Sequence, residues 1–174
     1  MILIIAQILG LMAVGIYLLS YQLKKRIHIV WATCSANALY VLQYILLGAF
    51  SGALIDVIST AISFCAAKKN TPSFKKNAKW IIALNIFAIV AAGVTIAIIK
   101  RDPLELIPVG GAFFQSLGLW FENEQTIRKC GLIGAPFWLA YNFISKAYGS
   151  AFGTVLFMVS VVISLIRYRK QKEN

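Results

Sequence analysis

Any chemistry in this chain must come from a few polar side chains set inside long apolar runs. Asp56 is an acid within such a run, with no basic residue three or four positions away. An acid inside a membrane span costs roughly 2.5–3.5 kcal/mol on insertion scales and marks a functional position by default. Near mid-depth of the same runs lie Asn37, Tyr40, Ser59, Trp138, Tyr141, Asn142 and Ser160, with Gln115 close by. Amides, hydroxyls and an indole N–H are the groups that hold a small polar solute. They also tie helix to helix, at about 0.6 kcal/mol per contact. These residues are therefore expected either to line a pocket or to bond the spans together. Asp56 is expected to face the protein interior, with Tyr40, Tyr44 and the sixth span as neighbours, or to reach water near the outer surface.

Other reactive groups fit structural roles. His28 is the single histidine and sits at the start of a span, where it reads as solvated. No zinc-protease, nucleophile-elbow or phosphate-loop motif occurs. Glu122 and Glu124 fall in a short polar loop beside Arg128 and Lys129. Asp102 and Glu105 flank Pro103 at a helix start, where acids oppose the positive end of the helix dipole. Cys34, Cys65 and Cys130 form no CxxC pair and read as small packing residues. The expectation is no enzyme, no cofactor and no metal site.

The elements that must position these groups follow from composition. Of the 174 residues, 60% are hydrophobic and 13% charged, far from the ~25% charge of a soluble domain. A soluble body of this size cannot hide so much apolar surface, so the bilayer is the expected partner. Seven apolar runs appear: Met1–Tyr21, Ile27–Leu47, Gly52–Ala67, Trp80–Ile99, Leu104–Phe121, Gly131–Ala147 and Ser150–Tyr168. A spanning helix needs about 20 residues, and lipid excludes open strands. Seven spans place all but Lys100, Arg101 and Lys146 of the 17 basic residues on one side. The positive-inside rule makes that side cytoplasmic, with the N-terminus outside and the C-terminus inside. The net charge of +11 is then topology rather than a nucleic-acid surface.

A shift of 101 residues aligns Gly48 and Gly52 with Gly149 and Gly153, Tyr40 with Tyr141, Ser59 with Ser160, and Ser63 with Ser164. The expected plan is an all-α membrane protein of seven transmembrane helices in a 3+1+3 arrangement of two parallel three-helix bundles. The first bundle covers 1–67, a basic cytoplasmic loop 68–79, a linker helix 80–99, the second bundle 104–168 and a cytoplasmic tail 169–174. Pro108 to Gly111 and Gly134 to Pro136 are expected to interrupt the fifth and sixth spans.

The segments Leu46-Leu-Gly-Ala-Phe-Ser-Gly52, Pro103-Leu-Glu-Leu-Ile-Pro-Val-Gly110 and Trp138-Leu-Ala-Tyr-Asn142, with Arg128, Gly149 and Arg167, give the chain a family resemblance. It resembles the YgjV family of bacterial inner membrane proteins along nearly its whole length. Asp56 and Ser59 stand where that family tends to Asn and Arg, so the resemblance implies no required carboxylate. It implies a multi-pass inner-membrane location and no established activity. A more remote likeness, to SWEET and PQ-loop transporters, rests on repeat and topology. Together these lead to a small-molecule permease for a polar solute. The alternative is a non-transporting membrane protein that assists assembly or binds a partner. A homo-oligomer is compatible with either.

Overall fold

The computed structural model describes residues 2–173; the side chains of Ser73 and residues 168–173 fall outside that description. Met1, expected to open the first run, and Asn174 lie outside it, as do the basic side chains of the expected tail. Among the described residues, seven α-helices make up the fold: α1 (Ile2–Gln22), α2 (Arg26–Leu46), α3 (Phe50–Ala67), α4 (Pro72–Lys100), α5 (Ile107–Leu119), α6 (Glu124–Ile144) and α7 (Tyr148–Glu173). A short 3-10 helix, Pro103–Leu106, leads into α5. Among the described residues no strand occurs.

Five helices are long and apolar enough to cross a bilayer: α1, α2, α3, the Phe74–Lys100 part of α4 and the Tyr148–Arg167 part of α7. At 13 residues, α5 rises only about 20 Å. The 21 residues of α6 have the length, but Glu124, Gln125, Thr126, Arg128 and Lys129 crowd its start.

Local chemistry sets the boundaries. Thr71 is extended and Pro72 takes the first turn of α4, where a missing N–H costs nothing. Helix therefore begins inside the 68–79 stretch expected to be loop. Pro108 likewise falls in the first turn of α5, so it opens that helix instead of interrupting it. Pro136 lies inside α6, which continues through it. These corrections share one cause: proline disrupts only where its N–H or ring conflicts with the preceding turn. The backbone helix of α7 runs on to Glu173, so most of the expected tail extends the last helix.

Six helices close a ring. α1 packs on α2, α2 on α3, α3 on α5, α5 on α6, α6 on α7, and α7 back on α1. α4 stays outside, against α3, α5 and the 3-10 helix, with Trp80, Phe87 and Ile98 exposed. Bonds between helices gather the loops at two ends. Residues 21–26, 66–69 and 119–128 meet at a basic end. Residues 7, 43–52, 105 and 141–150 meet at the opposite end.

The basic end is fastened by two buried arginines. Arg26 donates to the carbonyls of Phe121 (3.0 Å), Ala66 (2.8 Å) and Leu119 (2.6 Å). Arg128, only 2% exposed, donates to the carbonyls of Tyr21 and Leu23, each at 3.0 Å. The last carbonyls of a helix lack partners within it, and a cation there also favours the helix dipole. The arginines thus use the chain's excess positive charge to close the ends of α1, α3 and α5.

The internal spacing differs from expectation. α2 occupies 26–46 and α6 124–144, 98 positions on; α3 begins at 50 and α7 at 148, again 98 apart. The turns agree: Gly48 has φ 70° and Lys146 φ 57°. After each, an alanine N–H reaches back to a carbonyl five residues earlier, Ala49 to Tyr44 and Ala147 to Asn142. Gly48 therefore corresponds to Lys146, not Gly149. The expected 101 is wrong by three residues, close to one helical turn, and so kept the same helix faces in view.

Candidate functional site

A narrow cavity lies at the centre of the ring, lined from all six ring helices and not from α4. α1 contributes Val14 and Tyr17; α2 contributes Asn37, Tyr40 and Tyr44. Asp56 comes from α3, Gln115 from α5, Trp138 and Asn142 from α6, and Gly153, Thr154 and Phe157 from α7. About 30 Å³ is open to water centres, room for about two waters.

The cavity sits between two packed layers. Tyr17, Tyr21 and Phe157 belong to one, and Tyr44, Trp138 and Tyr141 to the other. Tyr40 packs against both. Tyr40, Tyr44 and Trp138 form a ladder of near-parallel rings, with centroids 6.3 and 6.2 Å apart. The Tyr44 hydroxyl donates to Asn142 Oδ1 at 2.6 Å. Asn142 Nδ2 donates to Thr154 Oγ1 at 3.3 Å, which in turn donates to the Ser150 carbonyl at 2.8 Å.

Asp56 is 3% exposed. Its backbone carbonyl accepts from Thr60, but among the described residues no hydrogen bond or ion pair reaches its carboxylate. Among the described residues no lysine, arginine or histidine lines the cavity. The Trp138 indole N–H has no partner either. Its pyrrole edge lies on α5, 2.7 Å from where a Cβ on Gly111 would stand, so only glycine admits the ring there.

Of the residues singled out from sequence, Asn37, Tyr40, Asp56, Trp138, Asn142 and Gln115 come together here. Three do not line it. Ser59 is buried beside it with its hydroxyl unpaired. Ser160 accepts from Gln22 Nε2 at 2.7 Å, towards the basic end. Tyr141 lies on the far side of Asn142, and its hydroxyl contacts Ser51 Oγ (2.6 Å) and accepts from the Gly52 N–H (2.9 Å).

Tyr141 also borders a second space, an open cleft of about 290 Å³ walled by Gly48, Lys100, Glu105 and Lys146. Glu105 was expected to serve only its own helix start. Instead it accepts from Lys100 Nζ at 2.6 Å and from Ser51 across on α3. The group Lys100, Glu105, Ser51 and Tyr141 thus stands between cleft and cavity.

Tyr17, Thr154 and Phe157 were missed. Four pairs of lining residues recur at the spacing of 98: Tyr17 with Gln115, Tyr40 with Trp138, Tyr44 with Asn142, and Asp56 with Thr154. No pair is identical, so matching residue types could not find them. Burial repeats at the same spacing, as at Ile29 and Ile127, Ala53 and Ala151, and Ala66 and Ser164.

At the basic end, outside the spans, Lys69 donates to the Trp120 carbonyl at 2.6 Å and pairs with Glu122 at 2.7 Å. The hydrogen bond from Lys69 holds the Glu122 carboxyl below its ordinary range. A depressed carboxylate stabilises the fold above its unfolded pKa, and that contribution is lost as pH falls through the lower folded value. Glu122 is largely exposed, so solvent screening keeps the effect small. Thermal unfolding of Glu122→Gln should therefore match the parent below about pH 4 and fall slightly below it at pH 7. Equal stability at both pH values would dismiss the pair.

These features define a multi-pass, all-helical membrane protein with a central cavity lined from six helices. The chain belongs to the Imp-YgjV family of bacterial inner membrane proteins, whose model matches residues 4–172. Its location is accordingly the bacterial inner membrane. Comparison with curated proteins and with solved structures gives no match.

Proposed function

We propose that this chain is a small-solute permease whose central cavity is the solute site. The observation that carries the reading is Asp56, buried with no ion pair to its carboxylate among the described residues, in a cavity to which every ring helix contributes. An unpaired acid in hydrocarbon is expensive and is kept where it meets something mobile. The reading takes the fold as seven spans in a 3+1+3 plan of two like-oriented halves. Support comes from the recurrence of helix bounds, turn geometry and lining positions at 98 residues. Related halves with an odd helix between them suit parallel-repeat transporters. α5 joins the spans once the preceding 3-10 turn is added to its length. The reading assigns the chain no catalytic step.

Orientation follows from charge. The basic end holds Lys24, Lys25, Arg26, Lys68 and Lys69, while Lys100, Arg101 and Lys146 lie at the other. The basic end is cytoplasmic in this reading. A C-terminal reporter active only in the cytoplasm should give signal; signal only from an exported reporter overturns the orientation.

The function is tested by flux. Purified protein in liposomes should accelerate equilibration of small polar solutes over empty liposomes. If every solute, charged or neutral, equilibrates at the empty-vesicle rate, the permease reading fails and a non-transporting role replaces it.

A further inference from the structure

We propose that the cavity selects a small organic ammonium ion of the methylammonium class, with its charge on Asp56 and its alkyl group against Tyr40, Tyr44 and Trp138. The inference rests on the central cavity being the solute site and names its substrate class.

Charge is the first ground. Asp56 is the sole acid in the cavity lining, and its counterpart at the spacing of 98 is the neutral Thr154. The site therefore calls for a single positive charge. The other titratable lining groups are the phenols of Tyr17, Tyr40 and Tyr44; among the described residues no cationic side chain lines the cavity to compete for the carboxylate. A buried carboxylate without a counter-charge is strongly unfavourable, and a bound cation removes that penalty.

The walls are the second ground. Tyr17, Tyr40, Tyr44, Trp138 and Phe157 all line this small space. Aromatic rings attract ammonium groups through their negative faces, Trp most strongly, and cages of them recognise alkylammonium ions. An alkali ion needs a shell of oxygens instead. Of the lining oxygens, Asn142 Oδ1 is occupied by Tyr44, and Thr154 by Asn142 and the Ser150 carbonyl; those of Asn37, Gln115, Tyr17 and Tyr40 also line the space, so sodium and potassium are the competitors that the test sets against methylammonium.

Size is the third ground. A space for about two waters admits a molecule of two or three heavy atoms. A hexose does not fit this arrangement of the helices.

The test uses the full chain in detergent, followed by thermal unfolding and tryptophan fluorescence. The probes are methylammonium, sodium and potassium chlorides at matched ionic strength, with glycerol as a neutral solute. Methylammonium should stabilise saturably, and Asp56→Asn should weaken its apparent affinity by about tenfold or more. Should Asp56→Asn fail to fold, Trp138→Phe carries the test. It keeps a ring and should weaken methylammonium roughly threefold. Equal methylammonium binding by the parent and Asp56→Asn overturns the inference. So does tighter binding of sodium or potassium, or no saturable response to methylammonium. Saturation or flux with glycerol alone also overturns it but leaves the permease standing; absence of flux for every solute removes both.

Discussion

Arg128→Met should destabilise the protein by about 3 kcal/mol in thermal or denaturant unfolding from detergent. The side chain is 2% exposed and bonds the carbonyls of Tyr21 and Leu23 at 3.0 Å. Methionine fills similar volume but donates nothing, leaving the Leu23 carbonyl without this donor and the buried Tyr21 carbonyl with the longer bond from Ser164, at 3.3 Å. Hydrogen bonds from charged groups contribute ~1.5–3 kcal/mol each, and orphaned acceptors add their desolvation cost. Arg128→Lys should fall between, since one ammonium does not reproduce the planar fork that reaches both carbonyls. A change in Arg128→Met within about 0.5 kcal/mol, as for ordinary surface substitutions, would show that the staple is not a source of stability.

Asn142→Leu should separate folding from transport. The amide accepts from Tyr44 at 2.6 Å and donates to Thr154 at 3.3 Å, while lining the cavity. Leucine keeps the bulk and erases both bonds. In membrane proteins such contacts average about 0.6 kcal/mol, so thermal stability should fall far less than in Arg128→Met. Flux through liposomes should fall about tenfold or more. Tyr44 loses its anchor and the apolar branch occupies space that now holds only about two waters. Parent-like flux in a folded Asn142→Leu protein would place the solute path elsewhere.

How much of this was legible in the sequence depended on contrast. Seven helices follow from seven apolar runs, because chain length and hydropathy jointly specify them. Asp56, Asn37, Gln115 and Asn142 stood out because a polar group in an apolar run is visible against its background. Tyr17 and Phe157 line the same cavity yet do not stand out in an apolar run; type alone does not separate a cavity wall from a filled core. Arg26 and Arg128 were read as topology signals, since a basic residue at a span end normally reaches water. Only the folded ring brings the ends of α1, α3 and α5 within their reach. The expected spacing of 101 differed from the structure for another reason. Gly48 and Gly52 align with Gly149 and Gly153 at 101 residues, whereas helix bounds, turns and cavity positions correspond at 98. Three residues rotate a helix by nearly a full turn, so the wrong register preserved its faces. At a spacing of 98 the paired lining residues differ in type, as Asp56 and Thr154 illustrate.

The arginine bonds have a further consequence for reading this protein by mutation. The acceptors that Arg26 and Arg128 reach at Tyr21, Leu23, Ala66, Leu119 and Phe121 are main-chain carbonyls. Any residue placed at those positions still carries the carbonyl. A survey of all single substitutions would therefore register the donors as intolerant and remain blind to their acceptors. Covariation would be equally silent, because no change at Leu119 or Ala66 needs a compensating change at Arg26. Half of the contact that fastens this end is written in the backbone, where the genetic code has no means of varying it.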